Sequence, residues 1–209
     1  MSKWENAVVE NVAREVGNAI ITETGHDDWG HISRVANNAL TIGRREAADL
    51  LVVRLGALLH NVHRWKFHTG NRMAVAVSAA ERILNQCGAA PSIIGQVREI
   101  VDLFVYFLPE ERTRTRRSLE SKVVEDADIL DGLGLVGLVR EAAYGGVIHR
   151  PLFPITIIST EPLTSTTSTT EHMRQKAETL RRRLLTPTGV RLGEQRFQET
   201  LKLVKRLQT

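Results

Sequence analysis

The residues best placed for chemistry are His31, His60, Asn61 and Asp128, each on or beside an apolar helical pattern. The run Leu50-Leu51-Val52-Val53 through Ala57-Leu58-Leu59 reads as a buried helix that ends by presenting His60, with Asn61 directly after it. Packing gives no reason for a polar terminus on so apolar a helix, so His60-Asn61 is a candidate site. His31 lies within Ile32, Val35, Ala36, Ala39 and Leu40, and Asp128 within Val123, Val124, Ala127 and Leu130. Three buried helices that each deliver an imidazole nitrogen or a carboxylate can surround one divalent ion inside a bundle. Asp126 is the alternative carboxylate should the helix register differ by two, and Asp131 reads as a supporting or structural residue. Beyond the helix come His63, Arg64, Lys66 and His68, groups that can cradle a phosphate or move a proton. His26 and Asp27 stand either at the mouth of such a site or in a capping turn.

The elements that must hold these groups are helical throughout. Apolar residues recur at helical spacing from Trp4 to Ile21, from Trp29 to Gly43, from Arg45 to Leu59 and from Met73 to Gln86. Pro91-Ser92 opens another helix towards Leu108, with a basic loop after it. Ser118-Leu119-Glu120-Ser121 starts one that continues to about Tyr144, with Gly132, Gly134 and Gly137 inside it. The tract from Pro151 to Thr170 is rich in proline, threonine and serine and reads as a mobile loop or lid. Two amphipathic helices follow, Glu171 to Leu185 and Leu192 to Leu207, separated by Thr186-Pro187-Thr188-Gly189. Period-2 strands and long internal repeats are absent, so the predicted fold is all-α.

Composition narrows the class. The chain of 209 residues carries 42% apolar residues, enough for one sizeable core. Its apolar runs are too short for a membrane span, and residues 1–6 offer no signal-peptide core. The single Cys87 excludes an internal disulfide and fits a reducing cytoplasm, and its place late in an apolar helix reads as packing. The net charge of +4 is concentrated in Arg112 to Arg117 and in Arg181-Arg182-Arg183. No aromatic residues interleave with these arginines, so they read as a solvated loop and helix face, and nucleic acid is not the expected partner. Trp29, Trp65, Tyr106 and Phe107 read as core packing and His172 as surface.

Several segments occur in a fixed order: Gly25-His26-Asp27 with His31 and Arg34-Val35; Ala57-Leu58-Leu59-His60; Ser118 through Asp131; Gly132-Leu133-Gly134 with Arg140; Ala143-Tyr144-Gly145-Gly146; Glu171-His172, Thr188-Gly189 and Glu194-Gln195-Arg196. In this order they resemble the bacterial single-domain HD-family phosphohydrolases, from about His26 to Leu207. The resemblance implies an HD-domain helical bundle of roughly seven to nine helices. It implies one domain over residues 1–209, with the site in a core at 24–148, a loop or lid at 149–170 and C-terminal helices at 171–209 packed on the core. His31, His60, residue 61 and Asp128 would hold a divalent metal (manganese, magnesium or iron), and a water would attack a phosphorylated small molecule, foremost a nucleotide. His26, His63, Lys66 and His68 would bind substrate, and Arg64 would stabilise charge in the transition state.

Two positions depart from the family pattern. Asn61 stands where the family carries Asp, which replaces an anionic ligand with a weaker amide oxygen. Arg64 stands where related phosphohydrolases carry a second acid suited to handling the attacking water. The pair leaves two rivals to hydrolysis: a metal-free lyase, isomerase or transferase on an anionic metabolite, and a non-catalytic ligand-binding module. The sequence leaves a homodimer open.

Overall fold

The apolar spacing does produce helices, and among the described residues they are the only regular elements. The computed structural model describes residues 1–20, 28–62, 72–106, 117–154 and 168–207. Within these, α1 is Lys3–Ile20, α2 Trp29–Glu46, α3 Leu50–Leu59, α4 Arg72–Gln86 and α5 Pro91–Tyr106. After them come α6 (Leu119–Asp131), α7 (Gly134–Val147), α8 (Thr169–Arg181) and α9 (Pro187–Leu207). No helix among the described residues is long and apolar enough to cross a membrane.

Local chemistry sets the ends of the elements that matter. Asp28 caps α2 by accepting from the His31 N–H at 2.9 Å, which fixes the turn that carries His31. At the other end Ala47 takes a left-handed conformation (φ 55°), and Asp49 then caps α3 through the N–H groups of Leu51 and Val52. The expected helix from Arg45 is therefore two elements with a sharp corner. The expected helix from Ser118 to Tyr144 is also broken, because Gly134 at the start of α7 sits at φ +71°. A side chain at Gly137 would place Cβ 2.2 Å from the Gly132 carbonyl oxygen, so both glycines serve this corner. Helix α9 starts five residues before the expected Leu192, with Pro187 in its first turn and the Thr186 hydroxyl accepting from the Gly189 N–H at 3.0 Å.

Helix α3 runs through the middle of the core, with eight of its ten residues buried. Helices α1, α2, α5 and α6 surround it. Gly56 permits the closest crossing, since a Cβ there would lie 2.7 Å from Ile100 Cδ1 on α5. Cys87 packs against this core. The C-terminal pair α8 and α9 lies against α6 and α7. Arg196 on α9 donates to the Leu130 carbonyl at 2.6 Å and to Asn38 Oδ1 at 2.9 Å, tying α9 to α6 and α2.

Several expectations change here. Ser168, Thr169 and Thr170 belong to a buried capping box and first turn of α8, not to a loop; Ser168 and Glu171 cap each other. Residues 155–167 of the predicted loop lie outside the described residues. Arg117 is not solvated: its side chain is 4% exposed and pairs with Glu125, which also meets Arg183. Trp29 is exposed beside Gly17 instead of packed in the core. His172 is half-buried and pairs with Glu141 at 3.1 Å.

Candidate metal centre

Helices α2, α3 and α6 converge so that His31, His60 and Asp128 offer ligand atoms within 4.8 Å of one another. Asp128 Oδ1 lies 3.6 Å from His31 Nε2 and 3.8 Å from His60 Nε2. Both imidazoles are buried, and the carboxylate is partly open to solvent. The two rings meet edge to face at 5.3 Å, and Phe104 of α5 packs against His60 at 5.2 Å.

Neighbouring acceptors fix the tautomer of each ring. His31 Nδ1 donates to Asp131 Oδ2 at 2.8 Å, and His60 Nδ1 donates to the Ala57 carbonyl at 2.7 Å. A carboxylate and a carbonyl can only accept, so each Nδ1 carries the proton. In the neutral rings each Nε2 lone pair then faces Asp128. This is the arrangement in which a histidine serves a metal, with its second nitrogen held by a carboxylate or carbonyl.

Asp131 is itself clamped. Arg34 Nε donates to Oδ1 at 2.6 Å, and Arg140 donates to Oδ2 at 2.6 Å. Burial by itself would raise this carboxyl, but the hydrogen bonds from His31 and Arg34 and the charge of Arg140 outweigh it and hold the pKa at about 2. Asp131 is thus a permanent anion that orients His31. A cavity of about 320 Å³ beside the clamp is lined by Arg34, Asn38, Asp131 and Arg196, and by none of the three ligand residues.

Asp126 faces elsewhere. It accepts from the Leu185 N–H at 2.8 Å, the Thr186 N–H at 2.7 Å and the Thr186 hydroxyl at 2.6 Å. Fully buried on α6 and bonded to the start of α9, it stands apart from the cluster that Asp128 forms with His31 and His60.

Asn61 is buried in the turn after α3, and its Nδ2 lies 3.1 Å from His31 Nε2. In this orientation the amide donates to the lone pair that an ion would use. A half-turn of the amide brings Oδ1 to the same place as a neutral ligand. His26, His63, Arg64, Lys66 and His68 lie outside the described residues. The sequence reading missed Arg34 as part of the clamp, although it stands three residues after His31 and therefore shares its helix face.

The family model for the HD domain matches residues 28–133, which span α2 through α6 and contain all four candidate ligands. Bacillus subtilis YpgQ is 27% identical over 206 residues, covering 95% of this chain and 91% of YpgQ. The crystal structure of Bacillus subtilis YpgQ in complex with ADP superposes with a TM-score of 0.76 at 27% identity, covering 98% of this chain and 95% of that one. An HD-superfamily hydrolase from Bacillus thuringiensis shares the fold at 22% identity, with a TM-score of 0.76 over 98% of this chain and 96% of that one. From the ligand-bearing helices to the full length of its relatives, the chain belongs to the HD-domain family.

Proposed function

We propose that this chain hydrolyses a phosphorylated small molecule, foremost a nucleotide, by metal-assisted attack of water. The observation that carries the reading is the pair of buried imidazoles whose Nε2 lone pairs are aimed at Asp128 by Asp131 and by the Ala57 carbonyl. Two imidazoles and a carboxylate suit a divalent transition ion, so the residues present fit such a group. Bound there, the ion would supply positive charge to phosphate oxygens and acidity to a water.

The chain's own residues do the positioning. His31, His60 and Asp128 would hold the ion, Asn61 would add a neutral oxygen after its amide turns, and Asp131 would keep His31 in the ligating tautomer. From the sequence alone, Lys66 and His68 are assigned to the substrate phosphate, His63 and His26 to substrate binding and Arg64 to charge in the transition state. The ADP in the YpgQ complex supports a nucleotide as the ligand class. The test is phosphate or pyrophosphate release from a panel of nucleotides with added manganese, beside Asp128→Asn. Release by the native chain and none by the variant supports the reading; a metal-loaded native chain that releases nothing overturns it.

The Asn61 amide lying on His31 Nε2 favours a second reading, in which the pocket works without metal as an acid–base site on an anionic metabolite. The double variant Asn61→Asp, Arg64→Asp separates the two. It raises hydrolysis under the first reading and abolishes native activity under the second.

A further inference from the structure

The cavity beside the Asp131 clamp holds more positive charge than the clamp uses. It lies between α2, the corner that joins α6 to α7, and α9. Its volume of about 320 Å³ is at the small end of ligand pockets. Arg196 of α9 lines it and forms no ion pair among the described residues; its bonds go to the Leu130 carbonyl and to Asn38 Oδ1. These use two of its five N–H groups. Burial disfavours the charge and lowers the pKa of Arg196 from the ordinary arginine value, with Asp131 and Glu199 acting on it only from a distance. Arg34 lines the same cavity with its side chain 39% exposed, and Asp131 takes its Nε and Nη2. The same carboxylate also accepts from Arg140, so one negative charge answers two guanidiniums. Glu199, exposed on α9, is the second acid of the lining. Of the groups that line the cavity or bond to its lining, three guanidiniums therefore stand against two carboxylates. Leu135 and Val136, both exposed at the start of α7, add an apolar wall.

We propose that this cavity binds a small organic anion, with a carboxylate or phosphate head held by Arg196 and Arg34 and a short apolar part laid on Leu135 and Val136. Guanidinium N–H groups form a planar fork that matches the paired oxygens of either head. Asn37, exposed on the α2 side of the lining, adds an amide that can donate to the same head. A half-buried arginine that meets only neutral acceptors gains most from such an occupant, because an anion offsets the desolvation that its charge has already incurred. None of His31, His60 and Asp128 lines the cavity, so the site is independent of the reaction the chain performs.

The test is isothermal titration calorimetry on the full chain with sodium pentanoate and, separately, with inorganic phosphate, at constant ionic strength. Two variants at exposed positions move the charge of the cavity in opposite directions, and circular dichroism confirms that each is folded. Asn37→Glu adds a carboxylate and is expected to weaken binding about fivefold; Glu199→Gln removes one and is expected to tighten it by a similar factor. Saturable binding of either probe that follows both shifts supports the site, and the tighter probe tells a carboxylate ligand from a phosphate one. Binding that does not move in these opposite directions lies elsewhere on the chain and overturns the proposal. A native chain that saturates with neither probe, and a Glu199→Gln variant that also does not, overturns it equally.

Discussion

Helix α6 buries two aspartates, Asp126 and Asp131, and the groups that meet them differ in kind. Asp131 meets His31, Arg34 and Arg140, two of them permanent cations. Among the described residues Asp126 meets only neutral donors, the N–H groups of Leu185 and Thr186 and the Thr186 hydroxyl. Both pay a similar desolvation cost on burial. The hydrogen bonds from His31 and Arg34 and the charge of Arg140 overcome it at Asp131, whose pKa falls to about 2, and the neutral donors do not at Asp126, which burial pushes up to about 6. The charge therefore persists where it orients a ligand, and the other carboxyl acts as an acceptor that fastens the start of α9. Asp128 stands between them in sequence, and its partial exposure leaves it available to an ion.

The sharpest way to break this comparison is Asp131→Asn. It leaves two arginines around a neutral amide and frees the tautomer of His31. A loss of about 3–5 kcal/mol in urea unfolding is expected, together with a 10- to 100-fold loss of metal affinity, about what removing such a supporting carboxylate costs. A stability loss without an affinity loss would reduce Asp131 to scaffolding. Asp126→Asn should cost about 2–3 kcal/mol by leaving buried donors unmatched, with metal affinity unchanged. Gly189→Ala probes the same contact from the other side, because its Cβ would lie 2.1 Å from Asp126 Oδ2. About 1–2 kcal/mol of destabilisation is expected, again without effect on the ligands.

The smallest effect concerns a third buried acid, Glu141 on α7. Burial works to raise its pKa, but Lys176, Arg150 and His172 outweigh burial and hold it below the ordinary glutamate value of 4.5. Its contribution is thus fully present above that value and is lost as the pH falls below it through the depressed folded-state value. Glu141→Gln should cost about 1 kcal/mol at neutral pH, and its gap from the native chain should close on acidification. A gap that widens at low pH would contradict the assignment of the cluster to an ionised Glu141.

The same contrast shows what a sequence can tell. His31, His60 and Asp128 were legible because a polar group on an otherwise apolar helical stripe has few reasons to be there. Asp131 was legible as a supporting group because it stands three residues beyond Asp128 and so shares its face. The role of Asp126 was hidden, since its partners lie about sixty residues later and nothing in the local pattern announces them. Helix corners were hidden for a related reason. Ala47 in a left-handed conformation is no more visible than any alanine, and the glycines between α6 and α7 read equally well as packing positions. The buried ion cluster of Glu141 could not be read either, because Arg150, Lys176 and His172 reach it only in the folded chain.

On the proposed reading His31, His60 and Asp128 hold a divalent ion although residue 61 is an amide. Elemental mass spectrometry of the chain as purified, beside Asn61→Asp, tests it most directly. About one equivalent of a divalent transition ion is expected in the native chain, with tighter retention in the variant. A native chain that is empty and takes up no ion on titration, while Asn61→Asp fills, would contradict it. The Asn61 amide would then be the final partner of His31, and the pocket would belong to metal-free chemistry.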